Sequence, residues 1–96
     1  MKRNEVLRAL ARLRELKREE FGIRRIGVFG SVARDEITEA SDVDVVVELE
    51  EPDLFALIGI KQELERYLGR SVDVVRYRER MNAYLKHRIE KEAIYV

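Results

Sequence analysis

A chain of 96 residues with a formal net charge of zero can build one modest core and not two. It has no cysteine, which excludes disulfides and cysteine–zinc sites. No apolar run is long enough to cross a membrane, and the charged N-terminus lacks the apolar stretch of a signal peptide, so a cytoplasmic protein without membrane contact is expected.

In chain order, residues 4–21 read as an amphipathic helix, with Val6, Leu7, Leu10, Leu13, Leu16 and Phe21 at helical spacing. Asn4 is placed to cap its start and Gly22 to stop it. Residues 23–29 read as a first strand, which Gly30-Ser31 ends by opening a short helical turn through Asp35. A second strand follows at 42–49. Glu50-Glu51-Pro52-Asp53 is a turn whose last residue can cap the next helix. That helix spans 54–68, with Leu54, Leu57, Ile58, Leu64, Tyr67 and Leu68 as its apolar stripe and Gly69 as its end. Ser71–Tyr77 is a short β-branched strand. The last helix covers 80–92, with Met81, Tyr84, Leu85, Ile89 and Ala93 on its apolar face. Ile94-Tyr95-Val96 is an apolar tail that either packs back or meets a partner. The order of helices and strands predicts an α/β sandwich on a small sheet, in two or three layers, with strand directions left open.

Charge is unevenly spread. From Asp35 to Ile60 there are nine acids and no base, whereas the N-terminal helix and the segment Arg76–Lys91 are rich in Arg and Lys. An acidic centre attracts metal, and flanking bases can hold a polyphosphate; they serve equally well as solvated helix faces. The only histidine, His87, lies on the charged C-terminal helix and reads as a surface residue.

The densest signal is Gly30-Ser31, then ten residues, then Asp42-Val43-Asp44 running into Val45-Val46-Val47. Side chains alternate along a strand, so Val43, Val45 and Val47 take one face and Asp42 and Asp44 the other. Two carboxylates side by side on a half-buried strand repel unless a cation sits between them. Oxygen ligands suit Mg²⁺ or Mn²⁺. Same-face positions lie roughly 6.5–7 Å apart along a strand. Their side chains can converge on metals about 3.5–4 Å apart, as in two-metal phosphoryl transfer. Asp73, in Val72-Asp73-Val74, points away from the core in the same way and joins the pair if its strand neighbours the second. Gly30 lets backbone amides approach a phosphate, Ser31 adds a hydroxyl, and Arg34 can reach a phosphate or pair with a carboxylate. Ser41 can order the start of the second strand.

Gly-Ser, about ten residues and Asp-x-Asp on a strand resembles the signature of the DNA polymerase beta-like nucleotidyltransferase superfamily. The short length, Ala33-Arg34 and Ser41-Asp42 are similar to its minimal nucleotidyltransferases (MNT), single small domains often paired with HEPN proteins as toxin–antitoxin systems. One departure is Asp35, where the family usually carries a second glycine. The resemblance implies a polymerase beta-like α+β fold, a small mixed sheet with helices packed on it, formed by residues 1–96 as one domain. It further implies Asp42, Asp44 and Asp73 as catalytic metal ligands, with Asp73 accepting the nucleophile's proton, and Gly30, Ser31 and Arg34 as nucleotide-binding residues. The implied reaction is Mg²⁺- or Mn²⁺-dependent transfer of AMP from ATP to a hydroxyl of a partner, a HEPN toxin modified on a tyrosine. A homo-oligomer stays open, and nucleic acid is not expected as the direct substrate. Two alternatives remain: an antitoxin that acts by contact without catalysis, and an aminoglycoside-type enzyme acting on a small molecule.

Overall fold

Val6, Leu10 and Leu13 recur on one face of the first helix, α1 (Arg3–Phe21), and all three are buried. Ala56, Ile60 and Leu64 do the same on α3 (Leu54–Leu68). These two stripes pack on one face of a four-stranded sheet in the computed structural model, which describes residues 1–96. The strands are β1 (Ile23–Phe29), β2 (Val43–Leu49), β3 (Val72–Arg76) and β4 (Ile94–Tyr95), in the order β3-β2-β1-β4. β1 runs antiparallel to β2 and to β4, while β2 and β3 are parallel and joined through α3. The sheet is therefore mixed, as the α+β expectation required.

Alternation sorts the strand residues between the two faces. Val43, Val45, Val47 and Leu49 join Val72 in the core beneath α1 and α3. Ile23 and Ile26 share that face although three residues apart, because the register shifts between Ile23 and Arg25 and leaves Arg24 and Arg25 exposed. The opposite face carries Phe29 and Val46, covered by Ile89 of α4 (Ala83–Glu92) with Leu85, Met81 and Tyr95 around it. The result is three layers, two helices over the sheet and one beneath.

Helix ends follow local chemistry, with differences from the expected boundaries. Gly22 and Gly69 end α1 and α3 in the left-handed conformation, and the Asp53 carboxylate accepts from the Ala56 N–H as the α3 cap. Asn4 does not cap α1: the helix begins a residue earlier with Lys2 in the cap position and no side-chain bond there. Arg3 instead donates to the Ala33 carbonyl at 3.1 Å, tying the start of α1 to the end of the short helix α2 (Gly30–Ala33). The last helix starts at Ala83 rather than 80, because the Asn82 side chain accepts from the Leu85 N–H at 3.0 Å and fixes the first turn there. The tail packs back: β4 extends β1, and a Cβ on Gly27 would strike the Ile94 backbone.

The apolar stripe of α3 is only partly the expected one: Leu64 is buried and Leu57 and Leu68 pack against the core, but three of its residues do not. Leu54, Ile58 and Tyr67 are exposed, and Phe55 is 84% exposed. Leu16 and Tyr84 likewise point to solvent. With both helices lying on one sheet face, the Ala56-Ile60-Leu64 line of α3 is the buried one, with Leu57 and Leu68 partly buried beside it.

Candidate active site

The first half of the site is a row of three residues across three strands. Phe29 pairs with Asp44 across β1–β2, and Asp44 pairs with Asp73 across β2–β3. The row lies on the α4 side of the sheet, since the neighbours of each aspartate, Val43, Val45 and Val72, face α1 and α3. Asp42 stands exposed just before β2. Its loop is ordered by Ser41, whose Oγ accepts from the Thr38 N–H at 3.0 Å, and by Arg70, which donates to the Thr38 carbonyl at 2.8 Å. Ser41 thus orders the entry to β2, as expected. None of the three carboxylates forms an ion pair.

β3 is held in this register from α3. Glu65 accepts from the Val72 N–H at 3.0 Å and from Lys61 Nζ at 3.1 Å, and Lys61 also donates to the Val72 carbonyl at 2.5 Å. The residue after this clamp is Asp73. Its place opposite Asp44 therefore depends on two polar side chains that sequence patterning did not single out.

The second half is the turn after β1. Gly30 has φ 68°, and a Cβ there would collide with the Asp44 carboxylate, so backbone conformation and space both require glycine. Ser31 is half-buried on the same turn. Asp35, at the position of the expected second glycine, has φ 61°. Aspartate tolerates this left-handed conformation better than most residues, so the turn keeps the geometry a glycine would adopt.

Two further residues reach the site from α4, and periodicity gave no means of finding them. Arg88 lies with its guanidinium carbon 5.8 Å from the Phe29 ring centre. Glu92 accepts through one oxygen from the Gly30 N–H at 3.0 Å and from Arg34 Nη1 at 2.9 Å. Arg34 Nε donates to Glu36 at 2.6 Å. Gly30 and Glu92 are 62 positions apart, beyond the reach of any local pattern. His87 is exposed on the outer side of α4, as expected.

Electrostatics follow from this placement. Burial pushes the Asp44 carboxyl above its ordinary range and the Asp73 carboxylate beside it adds to the rise. Arg88 opposes it, Asp42 adds to it, and Arg34 opposes it. The site thus concentrates negative charge, with two guanidinium groups at its border.

Three carboxylates with no histidine or cysteine are a hard oxygen donor set, which fits Mg²⁺ or Mn²⁺. No three acidic side chains are already gathered into a metal-ligating cluster. Asp42 and Asp73 are exposed, and Asp44 is partly buried.

The mixed sheet thus carries paired aspartates on adjacent parallel strands, beside a Gly-Ser turn. The chain belongs to the nucleotidyltransferase domain family, which matches residues 10–96. It is an enzyme of the nucleotidyltransferase class. It is 46% identical over 84 residues to the protein adenylyltransferase MntA of Thermococcus cleftensis, covering 82% of this chain and 80% of that protein. Among solved structures, one provisionally described as a minimal nucleotidyltransferase is 35% identical with a TM-score of 0.82, covering 98% of this chain and 95% of that one. Two more distant structures share the fold at 22% identity. One is a toxin–antitoxin with AMP-PNP, TM-score 0.72, covering 99% of this chain and 72% of that one. The other is a tri-AMPylated Shewanella oneidensis HEPN toxin in complex with an MNT antitoxin, TM-score 0.58, covering 88% and 69%.

Proposed function

We propose that this nucleotidyltransferase moves AMP from ATP to a hydroxyl of a partner protein, a HEPN-type toxin for which it is the antitoxin. The observation that carries the chemistry is the pairing of Asp44 with Asp73, beside Asp42 and the Gly30 turn. The choice of AMP and of a protein acceptor is supported by the adenylyltransferase relative and by the AMPylated toxin complex of the same fold.

In this reading Asp42, Asp44 and Asp73 would hold Mg²⁺ or Mn²⁺, which would neutralise triphosphate charge and lower the pKa of the attacking hydroxyl. Gly30, Ser31 and Arg34 bind the phosphates through a backbone amide, a hydroxyl and a guanidinium. The acceptor oxygen attacks the α-phosphorus. The bond from that phosphorus to the α,β-bridging oxygen breaks, and pyrophosphate leaves with the electron pair. The hydroxyl proton passes to the Asp73 carboxylate, which is exposed and therefore open to an incoming side chain. The chain supplies position and charge and needs no covalent intermediate.

Intact-mass spectrometry tests the reading. The protein, a co-expressed HEPN-type partner, ATP and Mg²⁺ are mixed, and the partner gains the mass of AMP groups, whereas the Asp42→Asn/Asp44→Asn double variant adds none. A stable complex with no mass change would instead make the protein a contact-only antitoxin.

A further inference from the structure

Two of the groups that this reading assigns to phosphate, the Gly30 turn amide and Arg34, are already bonded to the chain's own carboxylates. Glu92 Oε1 accepts from the Gly30 amide at 3.0 Å and from Arg34 Nη1 at 2.9 Å, while Glu36 holds Arg34 Nε at 2.6 Å. Arg88 Nη2 lies 3.9 Å from the same Glu92 oxygen. One carboxylate oxygen thus sits among an amide and two guanidinium groups, the donor set an anionic phosphate oxygen would take.

We propose that Glu92 is a built-in competitor for the nucleotide's phosphates, so that triphosphate binding requires its carboxylate to swing away from Gly30 and Arg34. The proposal rests on the nucleotide-binding reading above.

The backbone of Glu92 cannot do the moving. It lies between the end of α4, where the Ala93 N–H bonds to the Ile89 carbonyl at 2.8 Å, and β4, which pairs with β1 through Ile94 and Tyr95. The Val96 N–H closes this segment onto the Ile26 carbonyl at 3.0 Å. Release is therefore a side-chain rotation. The side chain is 20% exposed, enough to give it a path to water. Once it turns out, the Gly30 N–H, Arg34 Nη1 and Arg88 are free together. Arg34 keeps its Glu36 partner, so its guanidinium remains oriented. Without nucleotide, Glu92 occupies the Gly30 amide and Arg34 Nη1; with nucleotide, the phosphates replace it.

Competition and support predict opposite signs. If Glu92 competes, Glu92→Gln, which keeps the shape and removes the charge, binds Mg²⁺–ATP roughly threefold to thirtyfold more tightly than wild type, and Glu92→Ala does at least as well. Inorganic triphosphate with Mg²⁺ gains by a similar factor, because the contest concerns phosphate and not base or ribose. Calorimetric titration reads all of these, with the melting temperature of each unliganded variant as the check on folding. Unchanged or weaker binding by folded Glu92→Gln, with wild type binding normally, overturns the proposal and makes Glu92 a support of the turn. If neither wild type nor variant binds any triphosphate, the nucleotide reading itself falls and this proposal with it. Binding by the variant alone is the strongest form of the expected result.

Discussion

Asp44 of β2 and Asp73 of β3 are direct partners in a parallel ladder, with Val43↔Val72 before them and Val45↔Val74 after. Adjacent strands lie about 4.8 Å apart, so the two carboxylates leave the sheet side by side. Val43 and Val45 of β2 and Val72 and Val74 of β3 pack toward α1 and α3, which puts the alternating aspartates on the other face. The core thus enforces a like-charge pair that is unfavourable alone and useful toward a cation.

The first prediction is a stability gain from removing that charge. The folded state raises the Asp44 pKa through burial and then through Asp73. A raised folded pKa means that the folded protein loses relative stability as pH rises from the ordinary value of 3.8 through the folded value. Asp44→Asn should therefore melt higher than wild type at pH 7 in metal-free buffer. The gap should close below about pH 3.8, where wild-type Asp44 is protonated in both states. Its transfer rate should fall by about 100-fold or more. Thermal melts across pH give the first result, and a variant less stable than wild type at pH 7 contradicts it.

Metal and nucleotide should stabilise together. ATP at about 100 times its Kd adds roughly 2.7 kcal/mol to the folded state. That increment should appear with Mg²⁺ or Mn²⁺, shrink with chelator, and vanish in Asp42→Asn/Asp44→Asn. Equal shifts in wild type and double variant would remove these aspartates from metal binding.

Asp73→Asn should separate binding from chemistry. If the exposed Asp73 mainly serves the acceptor side, its loss should leave the nucleotide Kd nearly unchanged and reduce turnover by about 10²–10⁴. Unaltered turnover would make Asp73 a surface acid.

Glu65 should matter through Val72. The Val72 N–H, and after it Lys61, hold the Glu65 carboxyl below its ordinary value of 4.5. A lowered folded pKa gives stability that is present above that value and lost as pH falls through the folded one. Glu65→Gln should be less stable than wild type at pH 7, with the difference shrinking in acid. It should also transfer more slowly, because the start of β3 loosens beside Asp73. Denaturant titrations at pH 7 and pH 3.5 decide this, and a difference that grows in acid refutes it.

The two isoleucines of α3 provide a packing test. Ile60 is fully buried and Ile58 is exposed. Ile60→Ala should cost about 2–5 kcal/mol by urea unfolding, and Ile58→Ala no more than about 0.5 kcal/mol. Similar costs would mean that the helix presents a different face.

Local chemistry made much of the molecule legible in advance. Alternation along Asp42–Val47 put the aspartates opposite the valines, Gly22 and Gly69 marked helix ends, Asp53 marked a cap, and the spacing from Gly30-Ser31 to Asp42 pointed to the family. Each depends on residues a few positions apart, where backbone geometry alone sets the relation. Tertiary structure decided the rest. Whether Asp73 met Asp44 depended on strand order, which α3 and the Glu65–Val72 bond settle from outside both strands. Which face of α3 was buried depended on α1 sharing the sheet with it, so Ala56 and Ile60 displaced Leu54 and Ile58 from the expected stripe. Glu92 reached Gly30 only because β4 folds the C-terminus back along β1. Contacts between residues dozens of positions apart arise from packing of whole elements, and no period in the sequence encodes them.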